Sequence, residues 1–199
     1  MAANRPILAI AAVSDASRRA LIEQAADEAG DIIYLTDLDE AQQRETLGKA
    51  TAIYAQHTNQ LPDDVGDLLG TDCKLLQFHS AGVDYLPLAK MPKDLPIAGN
   101  GGAFAEPMAE HGLAMTMAAA KRLFIEHDRL KTGEFNQFIS NKMLAGGVAG
   151  ILGFGGIGVA TASLLRGIGM KVHAIKRSGQ TDEPVDWIGT PDQLDEMLA

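Results

Sequence analysis

Residues 148–178 read VAGILGFGGIGVATASLLRGIGMKVHAIKRS. Val148–Leu152 is a short apolar run, and Gly153-x-Gly155-x-x-Gly158 follows it at once. Gly156–Arg166 then carries small and apolar residues at helical spacing, Gly167 and Gly169 end that helix, and Met170–Ile175 is a second apolar run. The pattern predicts a strand, a glycine turn, a helix and a second strand. The three glycines do different physical work. Gly153 permits the tight turn, Gly155 lets the backbone approach a pyrophosphate, and Gly158 lets the helix pack closely on the sheet. The phosphates would lie at the helix N-terminus, where free N–H groups and the helix dipole favour anions. The predicted contacts are therefore Gly153, Phe154, Gly155, Gly156, Ile157 and Gly158. A glycine-rich turn without a ligand is the competing reading, and three glycines in register between strand and helix weigh against it.

The end of the second strand chooses the dinucleotide. An NAD site places an acidic residue there to bind the ribose 2′-OH. Here the chain reads Lys176-Arg177-Ser178, with no carboxylate. Arg177 suits a 2′-phosphate and Ser178 can add a hydrogen bond, so NADP is expected and NAD stays possible. A solvated basic turn is the bland alternative.

Upstream, short apolar runs alternate with helical stretches, the mark of an α/β protein with parallel sheets. Ile7–Val13 reads as a strand, Ser14 or Asp15 as the cap of a helix running to about Ala29, and Gly30 as its stop. Asp31–Thr36 is the next strand and Asp39–Lys49 the next helix; Ala52–Ala55, Leu75–Phe78 and the short Ile97–Ala98 are further strands. Two prolines in MPKDLPIAGN and the glycines at 99, 101 and 102 mark a linker, which divides the chain into 1–100 and 101–199. Beyond it a helix is expected from the Pro107 region to about Lys131, with Gly133 past its end.

A net charge of −9 argues against a nucleic-acid partner. No run of apolar residues is long enough for a membrane span. The single Cys73 excludes an intrachain disulfide and fits a reducing, cytoplasmic setting. No metal ligands are expected.

Three passages resemble the D-2-hydroxyacid dehydrogenase family, which includes glyoxylate and hydroxypyruvate reductases. Leu76–Leu86, reading LQFHSAGVDYL, resembles its AGVD loop; Met108–Ala114, reading MAEHGLA, resembles the opening of its long inter-domain helix, with Arg122 where an arginine often follows; and GFGGIG with GMKVHAIKRS resembles its cofactor unit. The resemblance implies a flavodoxin-like catalytic domain at 1–100, then an inter-domain helix and an incomplete Rossmann domain at 101–199. It implies hydride transfer between NADP(H) and a small 2-oxo or 2-hydroxy acid. It also implies that the backbone of Ala81, Gly82 and Val83 holds the substrate carboxylate, and that the protein is a homodimer built around Ala105–Met143.

In that family an arginine, a glutamate and a histidine acting as general acid lie further along than DQLDEMLA, so no catalytic residue is assigned. His57, His79, His111, His127 and His173 are read as surface or structural groups, and Glu106-Pro107 as helix-start chemistry. Only two Rossmann strands are expected, leaving an apolar edge and a tendency to associate. The alternatives are a non-catalytic dinucleotide-binding or regulatory module, or an NAD-linked relative such as a formate or phosphoglycerate dehydrogenase.

Overall fold

The computed structural model describes residues 5–26, 28–57, 60–82 and 91–199. The chain divides into two compact units, Met1–Gly101 and Gly102–Ala199.

The first unit carries strands β1 (Ile7–Ile10), β2 (Asp31–Tyr34), β3 (Ala52–Ala55), β4 (Leu75–Phe78) and β5 (Ile97–Ala98), and helices α1 (Ala16–Ala26), α2 (Glu40–Lys49) and α3 (Val65–Leu68). The strands form one sheet in the order β2-β1-β3-β4-β5, parallel at every pairing. That is the flavodoxin-like doubly wound order. Alternate strand residues, among them Ala9, Ile53, Ala55, Leu76 and Phe78, point to one face and join Leu47 and Val65 from the helices in a core.

Several local expectations are corrected by the structure. The first strand stops at Ile10 rather than Val13, because the N–H groups of Ala11 and Ala12 both turn onto the Tyr54 carbonyl, at 2.8 and 3.3 Å. The second strand ends at Tyr34, and Leu35–Asp37 winds into a 3₁₀ turn. Asp15 does cap α1, its Oδ1 accepting the Arg18 N–H at 2.8 Å. Gly30 is not a left-handed helix stop: its φ is not positive, and a Cβ there would lie 2.2 Å from the Pro6 carbonyl oxygen. Close backbone approach is what requires that glycine.

The second unit contains α4 (Ala105–Ala120), α5 (Leu123–Lys131), β6 (Val148–Leu152), α6 (Gly156–Gly167), β7 (Lys171–Ile175), β8 (Trp187–Gly189), a 3₁₀ turn at Pro191–Gln193 and α7 (Leu194–Leu198). The single helix expected over about 107–131 is two. Arg122 has φ 55, and the Ala120 carbonyl accepts the Lys142 N–H at 3.1 Å instead of continuing the helix ladder. Lys121 Nζ also donates to the Lys142 carbonyl at 2.8 Å.

The sheet has three parallel strands, not two, in the order β6-β7-β8. Asp186 fixes the added strand. Its N–H donates to the Val172 carbonyl, its Oδ2 accepts the Val172 N–H at 2.8 Å, and Arg166 of α6 pairs with the same oxygen at 2.7 Å. Val172 and Ala174 of β7 pack against Ala162 and Leu165 of α6 beneath the glycine turn. β6 remains an edge among the described residues, with Val148 and Leu152 exposed.

Candidate dinucleotide site

The glycine turn leaves β6 at Gly153, whose φ of +99 only glycine adopts without strain. The N–H groups of Gly153 and Phe154 both donate to the Ile175 carbonyl at 3.1 Å, which seats the turn on the end of β7. Gly155 then caps α6 in an extended conformation, and its carbonyl accepts the Val159 N–H at 2.9 Å. A Cβ on Gly155 would meet nothing within 4 Å, so open space stands above the backbone at that point. A Cβ on Gly158 would lie 2.4 Å from the Gly153 carbonyl oxygen and 3.4 Å from Ile151 Cγ2. Gly158 therefore lets the helix start sit directly on the turn.

Phe154 has its side chain in the core at 2 % exposure, packed with Ala162, Leu165, Val172 and Ala174. Only its backbone can face a ligand. Gly156, Ile157 and Gly158 open α6, and their N–H groups lack the i−4 acceptors that later residues find. No acidic side chain lies in that first turn to offset the positive helix end.

The strand end predicted from sequence reaches the same place. A cleft of about 610 Å³ is lined by Leu152, Gly153, Phe154, Gly155, Ile175, Lys176, Arg177, Ser178 and Pro191. The turn after β7 is closed by the Gly179 N–H on the Lys176 carbonyl at 2.9 Å, with Gly179 at φ +63. The Ser178 hydroxyl donates to the Gln180 carbonyl at 3.2 Å. Arg177 is exposed, and among the described residues neither it nor Lys176 forms an ion pair. Two cations thus face the cleft without a protein counter-ion. Sequence reasoning missed Leu152, Ile175 and Pro191; the first two end strands beside the glycine motif, whereas nothing in the sequence marks Pro191.

The two groups of predicted residues do not share a unit. Ala81 and Gly82 lie exposed after β4 in the first unit, where the Ser80 hydroxyl donates to the Gly82 carbonyl at 3.1 Å and the Ser80 carbonyl accepts the Asn100 N–H at 2.8 Å. Val83 lies outside the described residues.

Residues 113–199, which include the whole of this turn and cleft, match the family description "D-isomer specific 2-hydroxyacid dehydrogenase, NAD binding domain". Over those residues the chain is similar to the D-isomer specific 2-hydroxyacid dehydrogenases. A hydroxypyruvate reductase of Thermotoga maritima is 28% identical over 122 residues, covering 60% of this chain and 40% of that protein. Among solved structures, a glycerate dehydrogenase related protein from Thermoplasma acidophilum matches with a TM-score of 0.70 and 29% identity, over 92% of this chain and 58% of that one. A D-isomer specific 2-hydroxyacid dehydrogenase family protein from Aeromonas salmonicida shares the fold at a TM-score of 0.80 and 22% identity, over 98% of this chain and 61% of that one. The chain thus spans about 40% of its curated relative and about 60% of these solved relatives.

Proposed function

We propose that this chain binds NADP(H) in its second unit and serves an oxidoreductase that transfers hydride between NADP(H) and a small 2-oxo or 2-hydroxy acid. The observation that carries the cofactor reading is the convergence of the open glycine turn and two uncompensated cations, Lys176 and Arg177, on one cleft. The bound dinucleotide would supply the hydride. The chain's own part is to hold it: the N–H groups that open α6 take the pyrophosphate, Arg177 with Lys176 and Ser178 takes the 2′-phosphate, and Ile175 and Pro191 offer apolar walls. An acidic residue at the strand end would repel that phosphate, and none stands there.

For the substrate, the reading places its carboxylate at the backbone of Ala81, Gly82 and Val83, and hydroxypyruvate and glyoxylate are the first compounds to try. A homodimer through the apolar surface of residues 105–143 is part of the same proposal.

Trp187, the single tryptophan, lies on β8 of the same unit and can pass excitation to a bound reduced nicotinamide. Titration should show NADPH binding about tenfold or more tighter than NADH, since a charge-assisted contact is worth roughly 1.5–3 kcal/mol. In Arg177→Glu that preference should disappear or reverse. Equal affinities in the wild-type chain would remove the NADP assignment. NADPH oxidation with hydroxypyruvate or glyoxylate tests the activity itself; binding without turnover would support the cofactor reading alone.

A further inference from the structure

The carboxyl ends of three strands in the first unit meet at Tyr54. Its carbonyl takes the N–H groups of Ala11 and Ala12 from the end of β1. Its hydroxyl lies 2.6 Å from Nδ1 of His79, just beyond β4, with the two rings edge to face at 6.2 Å. The pairing is built into the sheet. Tyr54 stands opposite Gln77, so His79 is its diagonal neighbour on the same face, within reach of a long side chain. The sheet order reverses between β1 and β3, and ligands of such sheets lie beyond the carboxyl ends of the strands at the reversal.

The hydroxyl stays protonated and so can donate to Nδ1. Burial pushes the Tyr54 phenol up from its ordinary value, and the Arg18 charge opposes this only in part. A phenol donating to Nδ1 selects the tautomer with its proton on Nε2. From His79 the order runs into the loop: the His79 N–H donates to the Ala55 carbonyl at 2.9 Å, Asn100 holds the Ser80 carbonyl, and the Ser80 hydroxyl holds Gly82.

We infer that Tyr54 is a positioning residue which, by holding the His79 imidazole, keeps the backbone of Ser80–Gly82 in the form that accepts the carboxylate of a 2-oxo acid. This rests on the substrate reading proposed above.

The test uses the full chain and oxamate, an unreactive pyruvate isostere, titrated by amide NMR, with NADPH affinity and thermal midpoint as controls. Tyr54→Phe and His79→Leu should each weaken oxamate binding about tenfold, the worth of one well-formed hydrogen bond, while NADPH affinity stays put. His79→Gln, whose amide oxygen can still accept from the phenol, should bind within about threefold of wild type. The His79 ring nitrogen spectrum should show the Nε2–H tautomer in the wild type and lose that bias in Tyr54→Phe. Oxamate binding that survives Tyr54→Phe overturns the inference alone. Equal losses of oxamate and NADPH binding reduce Tyr54 to a structural role and overturn it too. No oxamate binding by the wild-type chain overturns the substrate reading, and the inference with it.

Discussion

At the scale of single residues, the three motif glycines are required for three different reasons. Gly153 has a positive φ, Gly158 touches backbone, and Gly155 has neither constraint. Gly158→Ala drives a Cβ into the Gly153 carbonyl, 2.4 Å away, and neither backbone segment can move far. The variant should lose roughly 3 kcal/mol, the upper part of the overpacking range, read as a lower midpoint of the Trp187 transition in denaturant. A midpoint equal to wild type would mean that the helix start does not sit on the turn as described. The spacing of these glycines was legible in the sequence, and so were Lys176, Arg177 and Ser178 at the strand end. The direction of Phe154 was not, because the motif treats it as a spacer and only the packing with Leu165 and Val172 sends the ring inward.

At the scale of elements, strands with β-branched or apolar runs were readable from the chain, and those fixed by distant partners were not. β8 is three residues long, includes Gly189, and follows a loop with Pro184, so no periodicity announces it. It exists because Asp186 binds both β7 and Arg166. The break between α4 and α5 has no glycine or proline either; Lys142, about twenty residues on, takes the carbonyl that would have continued the helix.

The Asp186 clamp makes a pH prediction. The Val172 N–H, then the Arg166 charge, hold its carboxyl below the ordinary aspartate value, against the opposing effect of burial. A lowered folded value means that its stabilisation is complete above the ordinary range, near about pH 4, and is lost as pH falls through the folded value. Stability followed through Trp187 should decline on acidification below about pH 4, and Asp186→Asn should show a shallower decline. Identical acid slopes would exclude the clamp.

At the scale of the whole molecule, the second unit exposes several large apolar side chains. Phe124, Phe135 and Phe138 are 76%, 76% and 88% exposed, and Met115 and Leu130 stand beside them in the same segment of sequence. Scattered apolar residues need no explanation, but three open phenylalanines within fifteen positions fit a contact with another chain. Sedimentation at micromolar concentration should show a dimer, and Phe124→Glu should shift it toward monomer; a wild-type monomer at all concentrations would contradict that. Parallel sheets were expected from the alternation of strands and helices, and the flavodoxin-like order of the first unit only from the resemblance to a family. The number of strands in the second was underestimated, because β8 depends on the Asp186 clamp and not on its own residues.

That the turn at 153–158 is a pyrophosphate site, and not merely a tight connection, rests on Gly155. A side chain there fits the folded chain, since its backbone is extended and the space above it is open. Whatever need the position has for glycine must then come from a ligand. The decisive measurement is NADPH affinity of Gly155→Ala beside its thermal midpoint. A pyrophosphate site predicts an unchanged midpoint with affinity reduced tenfold or more, about 1.4 kcal/mol. Affinity equal to wild type would contradict it.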